Sequence, residues 1–217
     1  MDFLVNNYFK RMILVFTWIQ WCGKWTQARF LVEQHGFTLL EMGQELRNIS
    51  MEDTPLGKKV KEIIDAWNLV TPDIVEEIMK EVIWRQTNDN LILDGFVRNQ
   101  GNKDSIERIT TDYKVLFFNL SKEKAIERLL GRMYNPNTGE TFPSGTKIDP
   151  KTWDKLIKRK DDNEKSILTR INNFVKTTLP IVEIQKKEWK VLEVNANQSI
   201  EAVFQDIEKL VIKKNNC

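Results

Sequence analysis

Residues 11–31 read RMILVFTWIQWCGKWTQARFL: an apolar, partly β-branched run, a turn ending Gly23-Lys24-Trp25-Thr26, and a helix-forming segment. A strand passing through Gly-Lys-x-Thr into a helix is the setting of a phosphate-binding loop. Backbone N–H groups and the positive end of the helix converge there on phosphate oxygens. In that reading Lys24 reaches the terminal phosphates, and Thr26 places a hydroxyl at the junction of loop and helix. Trp18, Trp21 and Trp25 stand where such a loop needs the smallest residues.

Further along the chain, strands alternate with helices. RMILVFT (Arg11 to Thr17), NLILDGF, YKVLFFNL and KVLEVN are short apolar runs that read as strands. TQARFLVEQHG reads as a helix stopped by Gly36, with the lone His35 a helix-end residue of no assigned role. PLGKKVKEIIDA and TPDIVEEIMKEVIWRQ read as helices, the second opened by the N-cap Thr71 and a first-turn proline. Ser121 begins another, AIERLLGR lies within it, and QSIEAVFQDIEKLVIK closes the chain. Residues 134–150, YNPNTGETFPSGTKIDP, are rich in turn formers and read as a surface excursion, with a long charged helix expected from about Asp154 to Lys187. This alternation predicts an α/β fold, a parallel sheet with helices on both faces and its ligand at the carboxyl ends of the strands.

Composition narrows the class. A net charge of +2 gives no global field to attract nucleic acid or a membrane surface. Cys22 and Cys217 make no disulfide framework and no zinc set, which predicts a cytoplasmic protein. No apolar run approaches the roughly 20 residues of a spanning helix. The basic residues Lys10-Arg11 come after Asp2, the wrong order for a signal peptide, so residues 1–10 read as a short extension.

Several motifs then fall into one series. LILDGFVR places Asp94 at a strand end, where a carboxylate near magnesium would stand; Gly131-Arg132 precedes the polar excursion, and LIKRKDD and LTR follow it. With the Gly-Lys loop, this order resembles the adenylate kinases and their nucleoside monophosphate kinase relatives, from about Arg11 to Lys213, leaving 214–217 as a tail. The resemblance implies a phosphate-loop fold built on a five-stranded parallel sheet. It also implies a helical insert for the nucleoside monophosphate at about 42–71 and a LID at about 133–158.

The resemblance also implies roles. Trp21, Cys22, Gly23, Lys24, Trp25 and Thr26 fall on the ATP loop, with Arg128 flanking the ATP base and Arg132 near its phosphates. Met42, Arg47, Val70, Gly95, Arg98 and Asn102 fall on the monophosphate site, with Arg47 and Arg98 clamping the phosphate. Lys24, Arg98, Arg132, Arg159 and Arg170 would serve catalysis, the last two also reaching the acceptor. Thr26 and Asp94 would place Mg²⁺, largely through water, and Asp161 and Asp162 would serve the magnesium site and the LID hinge. The implied partners are ATP and a nucleoside monophosphate, AMP favoured, with a monomeric chain and no nucleic acid or membrane. Phosphoryl transfer is in-line positioning plus charge stabilisation, which is why guanidinium groups and Mg²⁺ suit it. Zinc is not expected, because the excursion holds no Cys or His.

Departures from the pattern are specific. Val97 stands where a proline is usual, and Met42 where threonine or alanine is usual. RNQGN, Arg98 to Asn102, is closer to the RN-x-x-N of UMP/CMP kinases, whereas the long excursion with PNTGETF and DPKT is closer to bacterial adenylate kinases. AMP and UMP or CMP therefore both stand as acceptors.

The tryptophans form a pattern of their own. The loop W-I-Q-W-C-G-K-W-T parallels the family's G-x-x-G-x-G-K-G-T, and Trp67, Trp153 and Trp189 also fall on family glycines, with Trp84 a looser match. Nine glycines in 217 residues lie below the usual share of roughly 7%, which the seven tryptophans would restore. Some bacterial lineages translate the codon UGA as glycine, and another code table reads it as tryptophan, so a gene of such a lineage read with the wrong table would produce this pattern. Two alternatives remain, a genuine kinase-like protein with an impaired loop and a deliberate substitution series.

Overall fold

A computed structural model of the protein describes residues 12–19, 23–65, 70–138, 140–158 and 163–212. The expected extension at 1–10, the tail at 214–217, and Trp21, Cys22, Trp67, Arg159, Asp161 and Asp162 lie outside the described residues.

The chain opens with β1 (Met12–Trp18), α1 (Lys24–His35), β2 (Thr38–Glu41), α2 (Met42–Ser50), α3 (Pro55–Asp65) and α4 (Pro72–Trp84). It continues through β3 (Asn90–Asp94), α5 (Gln100–Ile109), β4 (Lys114–Asn119) and α6 (Lys122–Gly131) to a two-stranded ribbon, β5 (Met133–Tyr134) and β6 (Thr141–Phe142). Then come α7 (Glu164–Asn173), α8 (Leu179–Lys187), β7 (Val191–Asn195) and α9 (Ile200–Ile207). The main sheet has the order β2-β3-β1-β4-β7, with every pairing parallel.

The strand alternation built into β1 divides the core. Leu14 and Phe16 face one side with Ala28 and Leu31 of α1, Leu129 of α6, Ile171 of α7 and Phe204 near the chain's end. Ile13 and Val15 face the other with Ile49, Val60, Ile78 and Ile106 from α2 to α5. Both faces of the sheet are therefore covered, as a parallel sheet requires.

Three expectations need revision. β2 was not anticipated: it is a four-residue edge strand, registered as Thr38↔Leu91 to Glu41↔Asp94. The Asn88 side-chain amide holds that edge, donating to the Gly36 carbonyl at 2.6 Å and to Thr38 Oγ1 at 3.0 Å. The long helix expected from about Asp154 begins only at Glu164, where Asn163 caps it by accepting from the Ser166 N–H. Residues 155–157 instead pair backwards, in bridges Ile148↔Lys155 and Tyr134↔Ile157, and Leu156 is buried. A π-helical turn, Phe174–Thr178, precedes Pro180, whose ring supplies no N–H for a regular α-helical ladder.

The third revision concerns the excursion at 134–150, which has a small polar core rather than a wholly superficial course. Asn135 and Asp149 are fully buried. The Asn135 amide donates to Asp149 Oδ2 at 2.7 Å, Asp154 Oδ2 at 3.1 Å and Thr152 Oγ1 at 3.1 Å. Burial opposes the charge on Asp149, but these hydrogen bonds and those from the Lys151 and Thr152 N–H groups outweigh it and lower its pKa.

Candidate active site

The carboxyl ends of the strands open into a cleft of about 1130 Å³. Trp18, the last residue of β1, and Gly23, just before α1, line it. Gly23 caps α1 with φ 85°, a left-handed backbone that suits glycine, and so aims the first N–H groups of the helix into the opening. Lys24, Trp25 and Thr26 line the cleft directly above.

Arginines arrive from separate elements. Arg47 comes from α2, Arg128 and Arg132 from the end of α6, and Arg170 from α7, and all four line the same cleft as Lys24. Arg132 is buried, Arg170 half-buried and Arg47 exposed, its guanidinium donating to Gln44 Oε1 at 2.7 Å. Converging cations beside a helix N-terminus make an anion-binding surface.

Asp94 ends β3 directly beside Phe16 of β1. Its carboxylate forms an ion pair with the Lys24 ammonium, which also lies 3.9 Å from the centre of the Trp18 ring. The other oxygen, Oδ1, is buried and has no hydrogen-bond partner. A buried orphan carboxylate oxygen fits a hard, oxygen-seeking cation such as Mg²⁺. Among the described residues no group of three or more His, Cys, Asp and Glu side chains is set to hold a metal.

The remaining site candidates gather just behind, around the end of β3. Gly95 has φ 77°, and a Cβ there would meet the Arg98 guanidinium at 2.9 Å, so glycine both makes the turn and leaves room for the arginine. Protein atoms crowd the Arg98 head, although the residue keeps open surface. The resulting desolvation lowers its pKa, and an arginine stays charged regardless. The Asn102 Oδ1 accepts from the Arg98 N–H at 3.3 Å, and the Thr178 hydroxyl donates to the Arg98 carbonyl at 2.9 Å. Asn102 and Met42 are buried, and Val70 packs against the same core cluster. None of Met42, Val70, Gly95, Arg98 and Asn102 lines the large cleft itself.

Sequence reasoning missed several cleft residues. Arg29 lies 5.0 Å from the centre of the Trp25 ring and pairs with Glu140 at 3.4 Å, tying α1 to the excursion. Gln27 donates to the Ile200 carbonyl at 2.9 Å, and Gln198 and Ser199 line the opposite wall. Arg29 was readable as the residue one helical turn beyond Thr26; its partner 111 residues away was not.

A parallel sheet, a Gly-Lys turn capping the first helix and arginines from three further helices define a nucleotide phosphotransferase. The family profile described as adenylate kinase matches residues 20–190. The chain is 32% identical over 202 residues to an adenylate kinase of Chloroherpeton thalassium, covering 87% of this chain and 93% of that relative. It is 32% identical over 213 residues to an adenylate kinase of a Geobacillus species, covering 92% and 98%. It is 30% identical over 196 residues to UMP-CMP kinase 1 of Oryza sativa subsp. japonica, covering 89% and 71%. The chain belongs to the adenylate kinase family, and is thereby a nucleoside monophosphate kinase. Among the described residues no helix is long and apolar enough to cross a membrane.

Proposed function

We propose that the protein transfers the terminal phosphoryl group of Mg·ATP reversibly to AMP, giving two ADP. The observation that carries this reading is the convergence of Lys24, Arg47, Arg128, Arg132 and Arg170 on one cleft at the carboxyl edge of the sheet. Lys24 leaves Asp94 to hold the ATP phosphates, and Arg128 flanks the base. Arg132 and Arg170 close on the transferring group, offsetting charge on its oxygens as one P–O bond breaks and another forms. The family resemblance assigns the same role to Arg159, which lies outside the described residues. Arg47 and Arg98 hold the acceptor phosphate in line, within a monophosphate site that includes Met42, Val70, Gly95 and Asn102. Bound at Thr26 and Asp94, largely through water, Mg²⁺ supplies charge neutralisation to the phosphates.

In this reading residues 42–71 form the acceptor insert and residues 133–158 a LID that excludes water over the reacting groups. The chain works as a monomer. A second reading, a UMP/CMP kinase, is favoured by Asn102: its Oδ1 already accepts from Arg98, leaving its amide N–H groups to meet acceptors on a base edge.

A coupled assay with AMP, CMP and UMP as acceptors separates the two. The glycine-loop form of the chain, with Trp18→Gly, Trp21→Gly and Trp25→Gly, is expected to turn over AMP with the highest kcat/KM. Preference for CMP or UMP would replace the first reading with the second, and no transfer to any of the three would sink both.

A further inference from the structure

Among the described residues, two that are not glycine have positive φ, and both are tryptophan: Trp153 at 62° and Trp189 at 57°. In that left-handed region a Cβ crowds the backbone, and a bulky side chain there is a true outlier. Burial does not compensate, since Trp153 is 79% exposed and Trp189 is 88% exposed. A large indole is normally placed where its apolar area leaves water. These two are placed where it cannot.

The local hydrogen bonds identify what each position requires. The Trp189 N–H donates to the Lys186 carbonyl at 3.1 Å, and the Lys190 N–H donates to the Gln185 carbonyl at 3.1 Å. That pair is a Schellman motif closing α8, with residue 189 at its left-handed position, where glycine is the usual occupant. At the other position the Trp153 N–H donates to the Asp149 carbonyl at 2.9 Å, and the Asp149 N–H donates to the Asp154 carbonyl at 2.9 Å. This closes a tight hairpin loop beside the bridge Ile148↔Lys155, again through a left-handed residue. A third tryptophan, Trp84, ends α4 with 79% exposure.

We infer that the polypeptide made in its own cell carries glycine at 153 and 189. One cause then covers the other five tryptophans: a UGA codon that this cell reads as glycine at positions 18, 21, 25, 67, 84, 153 and 189. The inference does not rest on the kinase reading, because neither Trp153 nor Trp189 lines the cleft. Its consequence for the cleft is large. Glycine at 18, 21 and 25 frees the turn before α1 to bring its N–H groups onto a phosphate, which indoles obstruct.

The test has three arms. Sequencing the gene should find UGA at all seven positions; UGG at 153 or 189 overturns the inference. Peptide masses of the protein isolated from its own cell should fit glycine at 153 and 189; tryptophan masses there overturn it independently. Recombinant chains carrying Trp153→Gly and Trp189→Gly, one at a time, should each melt at a higher temperature than the tryptophan chain. An unchanged or lower Tm in both would show that these backbones do not call for glycine. A glycine form that transfers no phosphate would overturn the proposed reaction while leaving the codon and mass results to judge this inference.

Discussion

The two ends of the same sheet solve opposite problems. At the amino ends of β4 and β7, Glu107 accepts from Lys103 at 2.8 Å, Lys190 at 2.7 Å and the Tyr113 hydroxyl at 3.1 Å. Lys103 also meets Glu188 at 3.0 Å, and the Gln185 amide donates to Tyr113 at 3.1 Å. Each charged member of this network, Lys103, Glu107, Glu188 and Lys190, has an opposite charge beside it. At the carboxyl ends, cations gather from four helices, and Asp94 keeps a buried oxygen without a hydrogen bond. The closed network ties α5 to the segments before β4 and β7, whereas the cleft brings five cationic side chains, Lys24, Arg47, Arg128, Arg132 and Arg170, to one surface that suits an anion. Stability and activity should therefore separate by mutation.

The largest separation is expected at Lys24. In the glycine-loop form, Lys24→Ala should lower kcat/KM by about a hundredfold or more. The chain should still fold, with a lower melting temperature because the buried Asp94 carboxylate loses the Lys24 ammonium. Loss of both activity and fold in calorimetry and assay together would break the contrast. Arg47→Ala and Arg98→Ala should raise the acceptor KM or lower kcat by orders of magnitude, and unchanged kinetics in both would remove them from the site.

Glu107→Gln should do the reverse, costing stability at neutral pH with kcat unchanged. Burial raises the pKa of Glu107, but hydrogen bonds from Lys103, Lys190 and Tyr113 outweigh it and bring the value to about 2. A carboxylate depressed on folding stabilises above its unfolded pKa, near 4.3, and that contribution fades as pH falls towards 2. Urea titrations should show a cost of about 1–3 kcal/mol at pH 7 that shrinks below pH 4. A cost independent of pH would mean that packing, not charge, holds this end.

Asn135→Ala probes an intermediate case, a closed polar network placed beside the cleft. It should cost roughly 1–3 kcal/mol, felt mainly as faster hydrogen exchange over 133–158. The same segment should be protected by a bisubstrate analogue, and exchange that ignores the analogue would contradict its role as a LID. The smallest effect is expected at an exposed helix cap: Ser121→Ala removes the cap of α6, where Oγ accepts from the Lys124 N–H at 3.2 Å, at about 1 kcal/mol in thermal melts.

The contrast also explains what was legible in the sequence. β1, β3 and β4 announce themselves as apolar, β-branched runs because they lie inside the sheet and are buried on both faces, and β7, at the other edge, still shows through the apolar Val191, Leu192 and Val194. β2 does not: Thr38 and Glu41 lie on an edge and only Leu40 of the strand is buried. α5 escaped notice because its sequence QGNKDSIERI is mostly polar, the polarity reflecting the charged network it serves through Lys103 and Glu107. The stretch before Glu164 carries a helix-like charge pattern, yet pairing of residues 155–157 with the excursion overrides it. Lys24, Asp94 and the cleft arginines were readable because fixed motifs flank them. The Arg29–Glu140 link was not, since tertiary folding alone joins its partners.

The proposed reaction requires the turn before α1 to bind the ATP phosphates, and the turn needs glycine to do so. Its most direct test compares phosphoryl transfer from Mg·ATP to AMP by the tryptophan chain and by the same chain with Trp18→Gly, Trp21→Gly and Trp25→Gly. Several charge-assisted hydrogen bonds, each worth about 1.5–3 kcal/mol, depend on that turn, so the glycine form should be at least about a hundredfold more active. Activities within roughly tenfold of each other, a difference of about 1.4 kcal/mol, would contradict it and make the tryptophans a tolerated part of a working loop.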